Sequence, residues 1–205
     1  MLCIRPYTPT TRDSTTTGHF DLVIKKYEQG NVSSYVHGLS VGDELNVKGC
    51  FTKLEIKPNM KKEIGMIAGG SGLTPMLQVI EELLESGDDQ TKLTLLFCNQ
   101  TPDDIILKDR MEALAAKYPR FKVHYCVDKA SSEWSGFTGY VTPDMVKSIM
   151  PAPADGNMIM VCGPPPMYKA ICGGKKFEEG KPPAQGEVGG FMKSMGYTED
   201  MVFKF

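Results

Sequence analysis

The sequence predicts an α/β protein, with a doubly wound parallel sheet in its C-terminal part and a partial antiparallel β-barrel before it. After residue 60, short strands that are apolar throughout alternate with helices, which is typical of a parallel sheet covered by helices. Before residue 60, apolar and polar residues alternate, which is typical of antiparallel strands with one buried face. We therefore expect two domains, residues 1–60 and 61–205.

The first domain is predicted to be antiparallel β with one short helix. HFDLVIKKY (residues 19–27) and ELNVKG (44–49) predict strands, and a short helix is expected within residues 31–39. The polar stretch KPNMKKE, residues 57–63, separates this part from the next, where the pattern changes to strand and helix.

In the second domain, five apolar runs predict strands: EIGMIAG (63–69), KLTLLFCN (92–99), FKVHYCVD (121–128), NMIMVCG (157–163) and MVFKF (201–205). Thr74, Thr101 and Thr142 each precede a proline and predict helix starts, because a threonine hydroxyl caps a helix and proline suits its first position. Asp104 follows Thr101 at the spacing of a capping box, and Ser86-Gly87 predicts the end of the first helix.

Composition excludes several classes of protein. A net charge of −2 over 205 residues argues against a general nucleic-acid binder. No apolar run is long enough to span a membrane, and the first ten residues lack the core of a signal peptide. The six cysteines form no CxxC motif and the three histidines have no metal-ligand spacing, so we expect reduced cytosolic thiols and no metal.

The stretch GMIAGGSGLTPMLQVIEELLES, residues 65–86, reads as a strand, a glycine turn and a helix. Glycines let a ligand approach the backbone, and a helix N-terminus offers free N–H groups to an anion. The stretch matches neither the GxGxxG fingerprint nor a P-loop. Alone, it fits a nucleotide phosphate site and an ordinary tight turn equally well.

The segment CGPPPMYKA, residues 162–170, also follows a strand and opens a helix. Both turns fall at the carboxyl ends of their strands, the edge where ligands of open α/β sheets bind. A proline-rich helix start can be purely structural, but two such turns on one edge indicate a site.

Two motifs in the first domain also suit a nucleotide. In RPYTPT, Arg5 and Tyr7 share one face of an extended chain, where a guanidinium can bind phosphate and a ring can lie on a flat heterocycle. In GNVSSY (residues 30–35), Ser33 and nearby N–H groups could hold a second phosphate. The alternatives are an exposed arginine beside a half-buried tyrosine, and a helix cap.

In chain order, RPYT, GxxS before a short helix, GMIAGGSGLTPM, CGPPPM and a final FKF resemble the NADH–cytochrome b5 reductases, which are ferredoxin-reductase-like flavoproteins. The resemblance runs from about residue 4 to the end of the sequence, and the flavin end of nitrate reductase carries similar motifs. It implies an FAD-dependent enzyme that passes a hydride from NADH to FAD and then single electrons to a haem protein such as cytochrome b5.

The resemblance implies an FAD site in the first domain. Arg5 would face the pyrophosphate, Tyr7 would lie against the flavin, and Thr8 would hydrogen-bond its reactive edge. The other implied FAD residues are Val23, Lys25, Tyr27, Gly30, Asn31, Val32 and Ser33, with Thr74 close to the flavin.

The resemblance also implies an NADH site in the second domain. The lining residues would be Gly69, Gly70, Ser71, Gly72, Thr74, Gly163, Pro164, Pro165 and Met167. Cys162 would orient the nicotinamide without acting as a nucleophile, and Thr8, Thr74 and Cys162 form the predicted catalytic set. Asp128 would accept from ribose hydroxyls and repel a 2′-phosphate, which favours NADH over NADPH, unless it is a strand-end cap.

The sequence departs from the family pattern in several places. The family has barrel strands before RPYT that are missing here, so unpaired edges and exposed apolar surface are expected. The family's GPxG turn reads Gly49-Cys50-Phe51-Thr52, and the lysine often found in the GxxS loop is Asn31. Residues 173–190, rich in Gly, Lys and Glu, predict a surface loop.

We expect a monomer without nucleic-acid partners on the cytoplasmic side of the cell. A full-length form would reach the endoplasmic reticulum or mitochondrial outer membrane only through an upstream anchor that this chain lacks. Two alternatives remain: the flavin/NADH domain of a nitrate-reductase-like enzyme, and a catalytically silent nucleotide-binding fragment without stable FAD.

Overall fold

The computed structural model describes residues 3–177 and 183–205. The chain forms two compact units, Met1–Glu55 and Ile56–Phe205. The second unit holds the parallel sheet and most of the buried apolar side chains.

The described part of the first unit contains one regular element, helix α1 (Asn31–His37), which lies in the predicted range. The predicted strands over residues 19–27 and 44–49 are not formed. A hydrogen bond of 2.9 Å from Thr10 N to Asp21 O joins RPYTPT to the predicted strand at residues 19–27. The described residues form no strand around this bond. Alternation predicts the face that a strand would bury, whereas a strand forms only beside a partner for its backbone groups.

Many large apolar side chains of this unit are exposed, as the family comparison leads us to expect. They are Ile4, Tyr7, Phe20, Tyr27, Tyr35, Val41, Leu45, Val47 and Phe51. The buried residues are few and include Thr10 and Ser33. Local hydrogen bonds therefore hold the described part of this unit together more than an apolar core does.

The second unit is built on six parallel strands in the order β4–β3–β2–β1–β5–β6. The strands are β1 (Glu63–Gly69), β2 (Lys92–Asn99), β3 (Phe121–Val127), β4 (Phe137–Thr138), β5 (Asn157–Cys162) and β6 (Val202–Lys204). Five of them occupy predicted runs. The prediction lacks β4 because a two-residue strand leaves no periodic pattern in a sequence.

The helices of this unit are α2 (Leu73–Glu85), α3 (Lys108–Lys117), α4 (Pro143–Ile149), α5 (Pro165–Ile171) and α6 (Gly190–Ser194). The central strand β1 is buried along Ile64–Ala68 and pairs with β2 and β5. Burial on both faces explains why its sequence is apolar without alternation. Among the described residues, no helix is long and apolar enough to cross a membrane.

Two of the three predicted threonine caps are confirmed. Thr142 Oγ1 accepts from Met145 N at 3.2 Å at the start of α4. Thr101 and Asp104 form the capping box, with Thr101 N donating to Asp104 Oδ2 at 3.0 Å, but it opens a 3₁₀ turn (Pro102–Asp104) rather than an α-helix.

The prediction for Thr74 is wrong. A 3₁₀ turn, Gly70–Gly72, follows β1 directly, so α2 already begins at Leu73 with Gly72 as its N-cap. Thr74 lies inside the first turn, and its hydroxyl donates to Ser71 O at 3.2 Å. Because the chain already forms a helical turn at the glycines, Thr74 follows the start of the helix instead of preceding it. The predicted end of this helix at Ser86 is confirmed.

A buried ion pair joins three segments near the amino-terminal ends of the strands. Arg120 Nη1 lies 2.6 Å from Asp89 Oδ1, and Asp89 is 2% exposed. Arg120 Nη2 also donates to Leu83 O at 2.7 Å, near the end of α2. The second Asp89 oxygen accepts from Asn59 N at 2.6 Å, so the pair links the start of this unit to α2 and β3.

The flanks of the predicted surface loop pack onto the sheet, while residues 178–182 lie outside the described part of the chain. Gln185 bonds both backbone groups of Lys204, with Oε1 accepting from Lys204 N at 2.7 Å and Nε2 donating to Lys204 O at 3.0 Å. The buried Lys204 ammonium donates to Glu187 O at 2.7 Å and Gly174 O at 3.2 Å. The described flanks therefore support β6 rather than forming a free loop.

Candidate functional site

The glycine turn and the CGPPPM turn lie side by side at one edge of the sheet. Strands β1 and β5 are parallel neighbours, and Ala68 pairs with Cys162 near their carboxyl ends. Strands β2, β3 and β4 lie on one side of β1, and β6 lies beyond β5. The chain therefore changes direction across the sheet between β1 and β5, which is where open α/β sheets bind ligands.

Glycine is required at Gly72, where these two turns touch. A Cβ atom at Gly72 would overlap the carbonyl oxygen of Cys162. A Cβ atom at Gly69 would lie 2.7 Å from Met167 Sδ, the end of a flexible side chain, and one at Gly163 would make an ordinary van der Waals contact with Gly69 N, at 3.4 Å. The backbones of the two predicted walls are therefore in contact at Gly72 and Cys162, while the Met167 side chain packs against Gly69 and Gly163.

Gly70 differs from its neighbours because it faces open space. Its φ of +53° is a conformation that other residues adopt only with strain, and nothing lies within 4 Å of the position of a Cβ atom. It leads into the first turn of α2, which carries no acidic residue. The partial positive charge of that helix end suits an anionic group such as a pyrophosphate. Leu73 N–H already donates to Gly70 O, and Pro75 has no N–H.

The Cys162 thiol lies at the end of β5, next to Gly163. Burial, the largest effect, raises its pKa, while a hydrogen bond with Tyr168 and the charge of Lys175 act in the opposite direction. A thiol with a raised pKa stays protonated at neutral pH and is a poor nucleophile. This agrees with an orienting role, which remains a prediction.

Asp128 directly follows β3 and is exposed at the same edge of the sheet. Its N–H donates to Asn99 O at 3.0 Å, and Lys129 N donates to Gln100 O at 2.8 Å. These bonds fix the backbone beside the end of β2. They leave the Asp128 carboxylate in solvent, where it can meet a ribose.

Asn99 is a residue that the sequence reasoning missed. It ends β2, is 8% exposed, and its Nδ2 is a buried donor with no hydrogen-bond partner. An unsatisfied buried donor costs about 1–3 kcal/mol, so a bound ligand or an ordered water is expected to accept from it. The available signal was a polar residue that ends an otherwise apolar run.

The predicted flavin residues of the first unit lie mostly at its surface. Arg5 is exposed and its guanidinium donates to Ile4 O at 2.9 Å, Tyr7 is 37% exposed, and Thr8 is half-buried. Val23 is half-buried, whereas Lys25 and Tyr27 are exposed, with Lys25 Nζ 6.0 Å from the centroid of the Tyr27 ring.

In the GNVS motif, Gly30 caps α1 without a side-chain bond, so Ser33 is not the helix cap. The buried Ser33 hydroxyl instead accepts from Tyr27 N at 3.2 Å. A Cβ atom at Gly30 would lie 2.5 Å from Ser33 Oγ. The serine therefore ties the loop to VIKKY, and the N–H groups of Asn31 and Val32 remain for a ligand.

Family models match both units. The model described as an oxidoreductase NAD-binding domain matches residues 66–173, and the model described as an oxidoreductase FAD-binding domain matches residues 1–56. The second match supports the barrel class for the first unit, although the described residues form no strand there.

Relatives align with nearly the whole chain. An Arabidopsis thaliana NADH-cytochrome b5 reductase-like protein is 48% identical over 98% of this chain and 60% of its own length. NADH-cytochrome b5 reductase 2 of Yarrowia lipolytica is 43% identical over 98% of this chain and 68% of its own length. The chain spans 57–66% of the length of the first curated relatives that it matches.

Solved structures are similar to this chain as well. The cytochrome b5 reductase domain of Ulva prolifera nitrate reductase is 35% identical, with a TM-score of 0.80 over 98% of this chain and 78% of its own. The CS-b5R domains of human Ncb5or share the fold, with a TM-score of 0.71 at 22% identity over 98% of this chain and 55% of their own. The fold, the paired turns and the family matches define a chain built from an oxidoreductase FAD-binding domain and an oxidoreductase NAD-binding domain. Within that class, the chain belongs to the NADH–cytochrome b5 reductase family.

Proposed function

We propose that this chain transfers a hydride from NADH to FAD and passes the electrons singly to a haem protein such as cytochrome b5. The observation that carries the proposal is the contact between the glycine turn and the CGPPPM turn at the switch point between β1 and β5. The family matches to FAD- and NAD-binding domains support it for the two units separately.

The second unit holds the dinucleotide. Gly70 and the 3₁₀ turn that it opens face the pyrophosphate, and the positive end of α2 stabilises its charge. The residues that line it are those predicted: Gly69, Ser71, Gly72, Thr74, Gly163, Pro164, Pro165 and Met167. Asn99 adds a buried amide donor, and the exposed Asp128 carboxylate accepts from the adenosine ribose.

The first unit holds FAD. Arg5 binds the pyrophosphate, Tyr7 covers the flavin and Thr8 hydrogen-bonds its edge, as the family resemblance implies. The N–H groups at the start of α1 bind phosphate, while Ser33 keeps that loop in place. Val23, Lys25 and Tyr27 complete the site from the neighbouring segment, and the family resemblance assigns Thr74 to the flavin as well.

The bound flavin supplies the conversion between a two-electron donor and a one-electron acceptor. No side chain has to donate or remove a proton at the hydride step. Cys162 and Thr74 therefore orient the reacting groups, which suits a protonated thiol and a hydroxyl already bonded to Ser71 O. Asp128 sets the choice of coenzyme through charge repulsion with a 2′-phosphate.

A second function is favoured by one observation. The similarity to the nitrate reductase domain of Ulva prolifera, at 35% identity, fits the flavin/NADH domain of a nitrate-reductase-like enzyme equally well. The two functions share the NADH and FAD steps and differ in the acceptor. We favour cytochrome b5 because the relatives above 40% identity carry that name. Monomeric state, cytoplasmic location and an upstream membrane anchor belong to the same proposal.

The identity of the electron acceptor is tested by mixing the purified chain with FAD and NADH under anaerobic conditions. Oxidised cytochrome b5 and ferricyanide, a small one-electron acceptor, are followed in parallel by absorbance. Reduction of both acceptors is expected. Reduction of ferricyanide alone would assign the electrons to another partner. Reduction of neither would leave a nucleotide-binding fragment and contradict the proposal.

A further inference from the structure

Two cysteines lie side by side on neighbouring strands of the second unit. Cys98 on β2 and Cys126 on β3 are register partners in a parallel pair, and both are free thiols. Register partners on adjacent strands point to the same face of a sheet. Cys126 belongs to the buried apolar cluster that contains Ile67 and Leu96, and Cys98 packs against that cluster. The two thiols are therefore neighbours on one face of the sheet.

Cys162, which also lies near this edge of the sheet, faces away from the pair. Its register partner is Ala68, whereas Cys98 is paired with Gly69, the next residue of β1. Successive residues of a strand point to opposite faces, so Cys162 lies on the other side of the sheet from Cys98. The cysteine that the proposed function uses is therefore separate from the pair.

The spacing of the strands brings the pair within reach of a disulfide. Neighbouring strands lie about 4.8 Å apart, which falls within the range of about 4.4–6.8 Å for the Cα atoms of a disulfide. The Cβ atoms of register partners have about the same spacing, whereas a disulfide needs about 3.5–4.5 Å. Closing the bond must therefore draw the two strand ends slightly together. A disulfide under such strain is reduced more easily than a relaxed one, so the link is reversible.

Access and acidity suit a small oxidant such as a peroxide. Cys98 is half-buried, whereas Cys126 is buried and its thiol donates to Gly139 O at 3.1 Å. A small molecule can therefore reach the pair from the side of Cys98. The pKa of Cys126 is lowered, chiefly by the Cys98 thiol and against the effect of burial. A lowered pKa favours the thiolate, which is the form that reacts with oxidants.

The oxidation balances with hydrogen peroxide as the oxidant. One thiolate attacks a peroxide oxygen, the O–O bond breaks, and a sulfenic acid and a hydroxide form. The hydroxide takes up the proton that the thiol released and becomes water. The second sulfur then displaces the sulfenic hydroxyl, which leaves with the second thiol proton as another water. Two thiols lose two electrons, and one peroxide gains them.

The pair lies next to the proposed ribose site. Asp128 follows Cys126 by two residues, and its N–H donates to the O atom of Asn99, the neighbour of Cys98, at 3.0 Å. Drawing the ends of β2 and β3 together displaces this hydrogen bond. Oxidation also removes the Cys126 S–H that donates to Gly139 O. Both changes disturb the backbone that positions the Asp128 carboxylate.

We propose that Cys98 and Cys126 form a modification site, at which a peroxide produces a reversible disulfide that weakens dinucleotide binding at the adjoining edge of the sheet. The effect on the dinucleotide rests on the proposed function, whereas the disulfide itself does not.

The first readout is the covalent state of the two thiols in the full chain with added FAD. The chain is treated with a small excess of hydrogen peroxide, the remaining thiols are alkylated, and the digested peptides are weighed by mass spectrometry. The peptides of Cys98 and Cys126 should appear as one linked species that dithiothreitol separates. Cys50→Ala, which removes an exposed thiol of the first unit, should form the same species. Separate peptides before dithiothreitol would overturn the proposal.

The second readout is the affinity for ADP-ribose, measured by calorimetry after the peroxide is removed. ADP-ribose contains the part of NADH that the Asp128 edge is proposed to bind, and it cannot reduce the flavin. Oxidation should weaken its binding by about tenfold, and dithiothreitol should restore it. A linked chain that binds ADP-ribose as well as the reduced chain would overturn the effect on the dinucleotide.

Two variants assign this effect to the pair. Cys98→Ala and Cys126→Ala each lack one of the two sulfurs, so peroxide should leave their affinity for ADP-ribose unchanged. Having both variants keeps the test decisive if one of them does not fold. An equal loss of affinity in the folded variant would assign the effect to another thiol, such as Cys162, and contradict the role of the pair.

The two readouts separate the inference from the proposed function. A reduced wild-type chain that binds neither NADH nor ADP-ribose contradicts the proposed function. The linked species then decides about the modification site alone: its formation supports the disulfide, and its absence overturns it.

Discussion

Gly72 lies so close to the carbonyl oxygen of Cys162 that no side chain fits between them. The two residues belong to different turns, more than eighty positions apart in the sequence, and meet because β1 and β5 are neighbours. The shape of the proposed nucleotide site therefore depends on the absence of a single methyl group.

Gly72→Ala should weaken NADH binding and lower the free energy of unfolding by about 1–3 kcal/mol, because the new methyl group overlaps backbone that cannot rotate away. Gly72 has a φ of −62°, which alanine adopts readily, so only the steric overlap changes. Fluorescence titration with NADH and urea unfolding measure the two effects. Gly87→Ala is the control, since nothing lies within 4 Å of its Cβ position. Wild-type affinity in Gly72→Ala would mean that the turns do not form the site.

Asp128→Ser should reduce the preference for NADH over NADPH by about fivefold to tenfold, because the charge that repels a 2′-phosphate is removed. The ratio of kcat/KM for the two coenzymes is the measurement. Asp155→Ser removes another exposed carboxylate of the same unit and should leave the ratio unchanged. An unaltered ratio in Asp128→Ser would remove this residue from coenzyme selection.

Arg5→Ala should lower FAD retention more than NADH binding, because a guanidinium that pairs with the pyrophosphate is lost from the first unit. Flavin content after gel filtration, read against NADH affinity of the same sample, checks this. Lys26→Ala is the matched control, as it removes an exposed cation that we assign to no site. Equal flavin content in the wild type and Arg5→Ala would refute the pyrophosphate assignment.

The ion pairs Asp89–Arg120 and Glu63–Lys92, near the amino-terminal ends of the strands, should contribute differently to the free energy of unfolding. Asp89→Ala should cost about 3–5 kcal/mol in unfolding free energy, because it leaves the Arg120 guanidinium without its buried partner. Glu63→Ala removes the exposed partner of Lys92, at 3.2 Å, and should cost at most about 1 kcal/mol. Urea unfolding compares them. Similar costs for both would show that the Asp89 pair does not link α2 to the sheet as described.

The sequence predicted the parallel sheet well because strands buried on both faces are visibly apolar. It failed where structure depends on distant partners. The alternating run at residues 19–27 forms no strand because alternation does not supply a neighbouring strand. Strand β4 exists only because Phe137 and Thr138 lie beside Cys126 and Val127 in space.

The candidate site also contains residues that the sequence reveals and residues that it does not. The glycine and CGPPPM turns were recognisable because their residue types reflect local backbone geometry. Asn99 was not, because its importance comes from its burial in the fold. Thr74 was assigned a cap that Gly72 fills, since three residues of 3₁₀ turn before a helix resemble an ordinary loop in sequence.

The central claim is that one chain carries both halves of a hydride transfer. Its most direct test is the visible absorption spectrum of the purified chain after addition of FAD and removal of free flavin, recorded before and after anaerobic NADH. We predict a protein-bound flavin spectrum that bleaches with NADH. A chain that stays colourless after reconstitution, or a bound flavin that NADH does not bleach, would contradict the account.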